Sequence, residues 1–85
     1  MPYHKDKQQA FQAAQQAFVQ AQEAREELEV HSDSGEFGTH VKKFEEEIEE
    51  ADQVIYKALQ VASEHQRDEL EKYQQRLVEM RQQSH

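Results

Sequence analysis

The sequence predicts an all-α fold, an antiparallel bundle of three helices. Its 85 residues include only two Gly and one Pro, whereas Gln, Ala and Glu, which favour helices, are abundant. Apolar residues recur at alternating spacings of three and four, as they do along one face of an α-helix. A hydrophobic content of 35% with a net charge of −8 approaches the composition of disordered chains, but this periodicity favours folded helices.

The first helix is predicted at about residues 4–30. One apolar row has the period of an amphipathic helix and consists of Phe11, Ala14, Phe18, Ala21 and Leu28. A row of alanines lies beside it: Ala10, Ala17 and Ala24. Because these side chains are small, a neighbouring helix can approach this face closely. The segment 31–36 contains Ser, Asp and Gly and is expected to end the helix.

The second helix is predicted at about residues 36–62, after a linker short enough to make the first two helices antiparallel neighbours. We expect Asp33 to cap its start, with Glu36 as the reciprocal partner of a capping box. Its apolar stripe follows a full heptad pattern: Phe37, Val41, Phe44, Ile48, Ala51, Ile55, Ala58 and Ala62.

A polar segment at 63–69 separates this stripe from a third apolar row, which consists of Leu70, Tyr73, Leu77 and Met80. One interpretation places a turn here, with Ser63 as N-cap and Gln66 as its partner, followed by a third helix at about 64–82. The alternative is a helical hairpin whose long second helix runs through the segment. Two such hairpins would form a four-helix bundle, a homodimer in which the 70–80 row is covered by the second chain. We expect the three-helix bundle.

The predicted core combines the apolar rows of all three helices. It consists of Phe11, Ala14, Phe18, Ala21, Leu28, Phe37, Val41, Phe44, Ile48, Ala51, Ile55, Leu59, Leu70, Tyr73, Leu77 and Met80. Tyr56 lies off these rows, and we expect it to be exposed.

Charge is concentrated in residues 23–50, which hold eleven acidic and three basic residues, while the rest of the chain is neutral. This segment surrounds the first turn, so it forms one end of the molecule, here called the acidic pole. Its candidate protein-contacting residues are Glu45, Glu46, Glu49 and Glu50. The alternative is a solvated face that only keeps a small protein soluble. Such a surface disfavours binding to nucleic acid and to anionic membranes, both of which require basic residues.

Four residues near the first turn are weak candidates for a metal site: Glu27, His31, Glu36 and His40. Each helix contributes a Glu and a His four residues apart, and imidazole and carboxylate are ligands for transition metals. The spacing matches neither the di-iron bundle motif nor the zinc protease motif.

No catalytic or cofactor-binding pattern is found. The chain has no Cys, no Gly-rich phosphate loop, and serines only in predicted turns or near its end. We therefore expect no enzymatic activity and no cofactor. The absence of a long apolar run or a secretory signal predicts a cytoplasmic protein that does not enter membranes.

The second half of the sequence resembles short helical proteins of Bacillus and its relatives that are grouped in domain-of-unknown-function families. The resemblance is carried by Ala62-Ser63, by the run 66–70, and by the Gln- and Met-bearing run 73–80, together with a Gln/Ala-rich first helix. It implies a bacterial cytosolic protein and a turn near Ser63, and it assigns no site residue.

Two functions follow as expectations. The first is a non-enzymatic protein-interaction or regulatory module whose acidic pole binds a partner with a basic surface. The second is a metal- or small-ligand-binding bundle that uses the Glu and His residues near the first turn.

Overall fold

The computed structural model describes residues 3–30 and 35–83 and confirms the all-α three-helix bundle. Helix α1 spans Tyr3–Val30, α2 spans Phe37–Val61 and α3 spans Glu64–Gln83. The bundle is a rod about 51 Å long and 20 by 15 Å across. The hairpin with one long second helix is therefore excluded.

The helices run up, down and up along the rod. α1 packs most extensively against α2, and the two are antiparallel, since His40 near the start of α2 lies close to Glu27 near the end of α1. α3 then runs in the same direction as α1. Tyr73 stacks on Phe18 near the middle of the rod, and further along both helices Met80 shares a groove with Gln22.

Small side chains on α1 face large ones on α2 and α3. The buried residues are Ala14, Ala17, Ala21, Ala24 and Leu28 of α1, Phe44, Ile48, Ala51, Ile55 and Ala58 of α2, and Leu70, Leu77 and Met80 of α3. Because α1 contributes mainly alanines, the helices approach closely, and the core volume is filled by Phe, Ile, Leu and Met from the other two helices.

This core corrects the predicted one in its details. Phe37 is 39% exposed and does not belong to the core. Five other predicted members are only partly buried: Phe11, Phe18, Val41, Leu59 and Tyr73. Three alanines left out of the prediction are buried instead: Ala17, Ala24 and Ala58. The reason is that Ala14, Ala21 and Leu28 of the first row turn inward together with Ala17 and Ala24 of the alanine row, so Phe11 and Phe18 lie at the edge of the buried face.

The break between α2 and α3 contains the predicted capping box. The backbone N–H of Gln66 donates to Ser63 Oγ at 3.3 Å, and the backbone N–H of Ser63 donates to Gln66 Oε1 at 3.2 Å. Ala62 is extended, with φ −74° and ψ 144°. These reciprocal bonds satisfy donors that a helix start leaves without partners.

The start of α2 differs from the prediction. Its N-cap is Glu36 and not Asp33, and the Glu36 side chain makes no capping hydrogen bond. The Glu36 carbonyl instead accepts from the backbone N–H groups of Thr39 and His40, at 3.0 and 3.2 Å. Because the N-cap is Glu36, α2 begins three residues later than a cap at position 33 would place it. Asp33 itself lies outside the described residues.

Candidate functional site

Antiparallel packing of α1 and α2 places the acidic residues of both helices at the same end of the rod. Across this end, His40 Nδ1 of α2 lies 3.9 Å from Glu27 Oε2 of α1. The His40 side chain is 20% exposed and that of Glu27 is 53% exposed. The acidic pole is therefore a contiguous surface built from the last turns of α1 and the first turns of α2.

The four predicted contact residues lie on the outer face of α2, and all four are exposed. This position follows from helix geometry, since Phe44 and Ile48 occupy the opposite face and are both 1% exposed. Glu45 and Glu49 form one row on the outer face, and Glu46 and Glu50 form the next.

Lys42 lies one helical turn before Glu46, but among the described residues it forms no ion pair with the carboxylates of this outer face. Within residues 3–30 and 35–83, none of the four takes part in an ion pair. Each row brings two carboxylates together at a spacing of one helical turn, which costs a few tenths of a kcal/mol. The repulsion within each row therefore has a small cost in stability.

The end of α1 adds to this field. Its last turn contains no basic residue, although the partial negative charge at a helix C-terminus favours cations. One turn earlier, Arg25 Nη1 pairs with Glu29 Oε1 at 3.0 Å. The Glu29 side chain is 66% exposed. An ion pair with such an exposed partner contributes little to stability.

A shallow groove of about 250 Å³ runs between α1 and α2 within the pole. Its lining includes Glu23 and Glu27 of α1 together with Lys43 and Glu47 of α2. Three carboxylates thus surround one ammonium group, and the groove carries a net negative charge. Its position extends the acidic surface from the outer face of α2 across to α1.

The metal candidates are brought together only in part. Glu27 and His40 approach each other as described, Glu36 occupies the N-cap of α2, and His31 lies outside the described residues. Among the residues that the structure describes, no group of three His, Asp or Glu side chains converges in a way that could hold a metal ion.

Tyr56 lies outside the pole and is 62% exposed, as the sequence predicted. A second groove, of about 540 Å³, lies between α1 and α3 and was not predicted. It is lined by Gln12, Gln15, Gln16, Phe18, Val19, Gln22 and Tyr73. The sequence contained one indication of it, since Gln12, Gln15, Val19 and Gln22 repeat with heptad spacing on a second face of α1.

Comparison with known protein families, with curated proteins and with solved structures finds no match for this chain. In the described ranges, none of the helices is long and apolar enough to cross a membrane.

Proposed function

We propose that this protein is a non-enzymatic interaction module that binds a basic protein surface through its acidic pole. The observation that supports the proposal most directly is the outer face of α2, where Glu45, Glu46, Glu49 and Glu50 are exposed and form no ion pair among the described residues. A partner with Lys and Arg at matching positions relieves the repulsion between these carboxylates and gains charge-assisted hydrogen bonds.

The distribution of charge supports a directed surface more than general solubility. Solubility requires only a net charge away from zero, with both signs interspersed over the surface. In this chain the excess is confined to residues 23–50, and the remainder is neutral. An asymmetric field of this kind accelerates association with an oppositely charged partner and orients that partner toward one end.

The test compares two variants that change the net charge equally, one on the outer face of α2 and one at the start of α3. The first variant replaces Glu45, Glu46, Glu49 and Glu50 with Lys. The control replaces four acidic residues at the start of α3, Glu64, Asp68, Glu69 and Glu71, with Lys. Circular dichroism first establishes that both variants retain their helical content.

Binding of a fluorescent oligo-lysine peptide is then measured by anisotropy at low and at high salt. We expect the wild type and the control to bind at low salt, and the pole variant to lose binding. Equal loss in both variants would mean that only the net charge matters, and the proposal would be abandoned. Binding that persists at high salt would also contradict it, because exposed charges are screened there.

A second candidate function is a metal site at the first turn, and it is favoured by the approach of His40 to Glu27. Calorimetric titration with zinc or nickel chloride tests it. Heat that disappears when His31 and His40 are both replaced by Ala would support a metal site. No heat with the wild-type chain would remove this candidate.

A further inference from the structure

The groove between α1 and α3 has a different chemical character from the acidic pole. None of the residues that line it is charged. At its floor the rings of Phe18 and Tyr73 stack with their centroids 4.6 Å apart, and Gln15 Nε2 donates a hydrogen bond to Tyr73 Oη at 3.2 Å. A neutral recess with an aromatic floor and an amide rim does not attract a charged partner.

Val19 forms the edge of this recess and is 47% exposed. Val19 belongs to a stripe on α1 that consists of Gln12, Gln15, Val19 and Gln22, and it is the one aliphatic side chain among these four. An apolar side chain therefore projects at the edge of an open groove whose lining is uncharged.

The stripe is self-complementary when two copies of α1 are placed antiparallel about a two-fold axis at residue 17. Val19 then faces Gln15 of the second copy and enters its recess, and Gln12 faces Gln22 of the second copy. A Gln amide both donates and accepts hydrogen bonds, so Gln12 and Gln22 of opposite copies can bond to each other, while Gln15 keeps its bond to Tyr73. Such an isologous contact repeats every interaction twice.

Charge also selects the antiparallel arrangement. Residues 7–22 contain one Lys and no acidic residue, whereas residues 23–30 contain four Glu and one Arg. Antiparallel packing sets the slightly basic half of one α1 against the acidic half of the other. It also places the two acidic poles at opposite ends, while a parallel arrangement would bring them together and incur their repulsion.

We propose that the groove between α1 and α3 is a self-association surface, and that its occupant is α1 of a second, antiparallel copy of this chain with Val19 at the centre. This surface differs from the one that the hairpin alternative required, since Leu70, Leu77 and Met80 are buried within the chain. The dimer carries one acidic pole at each end and can engage two basic partners. The interface is small and largely polar, so the association is weak and depends on concentration.

Sedimentation equilibrium over a wide concentration range tests the proposal. The mass is expected to rise from that of the 10.1 kDa monomer toward twice that value. Val19→Glu places a charge in the neutral recess and is expected to keep the chain monomeric. The matched control is Val78→Glu, since Val78 lies on α3 outside the groove and is similarly exposed at 53%; it should dimerise as the wild type does.

Either a wild-type monomer at every concentration or equal dimerisation of both variants would overturn the proposal. Cross-linking gives a second test that does not depend on the stability of Val19→Glu. The chain has no Cys, so Gln8→Cys and Glu26→Cys each carry a single thiol. An oxidised mixture of the two is expected to yield mainly the mixed dimer, because Gln8 faces Glu26 in the antiparallel arrangement. A predominance of dimers of one variant with itself would contradict that arrangement.

Discussion

Ser63 and Gln66 exchange backbone-to-side-chain hydrogen bonds across the break between α2 and α3. This segment contains no Gly or Pro, so the chain could have continued as one helix. The two hydrogen bonds instead allow it to reverse direction between α2 and α3. The Arg67 N–H donates to the Ser63 carbonyl at 2.8 Å, so the new helix is hydrogen-bonded from its first turn. This pair determines that the chain forms three helices.

Replacement of Ser63 by Ala should lower the free energy of unfolding by about 1 kcal/mol, because it removes the acceptor for the Gln66 N–H. Thermal and urea denaturation followed by circular dichroism measures the change. Ser63→Asp is the matched control, since a carboxylate at the N-cap restores the acceptor, and its stability should stay close to that of the wild type. If Ser63→Ala and Ser63→Asp are equally destabilised, the capping interaction does not stabilise the break.

Phe44 is buried, with 1% of its surface exposed, and it is among the largest side chains of the core. Phe44→Ala should destabilise the protein by about 3–5 kcal/mol, through lost burial and the cavity left behind. Tyr56→Ala removes an aromatic side chain of similar size from the same helix where it is 62% exposed, and it should cost far less. Equal melting temperatures for these two variants would show that Phe44 is not a core residue.

Glu49 and Glu50 each follow another Glu by four residues on the outer face of α2. The double variant Glu49→Lys/Glu50→Lys converts both repulsive pairs into Glu-to-Lys pairs in the favourable orientation. It should raise the free energy of unfolding by roughly 1 kcal/mol at low ionic strength. High salt should remove most of the gain by screening. A gain that is unchanged in high salt would point to a cause other than charge.

Gly38 lies in the first turn of α2, and a Cβ at this position would meet no other atom within 4 Å. Its φ is not positive, so an L-residue fits the backbone. Gly38→Ala should therefore stabilise the protein by up to about 1 kcal/mol, because Ala loses less backbone entropy in a helix. Denaturation measures the gain. A loss of stability would indicate that the start of α2 is less helical than described.

The sequence alone predicted several local features correctly, although it placed the N-cap of α2 at Asp33 and not at Glu36. The capping box at Ser63 depends on residues three positions apart, and the heptad of α2 is visible from Phe44 to Ala58 without knowledge of the fold. The concentration of carboxylates at one end also follows from the sequence, because a short linker between two helices forces their joined ends together. Each of these properties depends on neighbours along the chain.

Only the tertiary structure decided which face of α1 turns inward and what lies at its edge. The small residues of both apolar rows face the core together with Leu28, because the large side chains of α2 and α3 fill the space that small residues leave. This rotation moves Phe18 to the edge, where it meets Tyr73 from the far end of the sequence and forms the groove between α1 and α3. The orientation of one helix depends on how the whole core packs, and no local pattern contains that information.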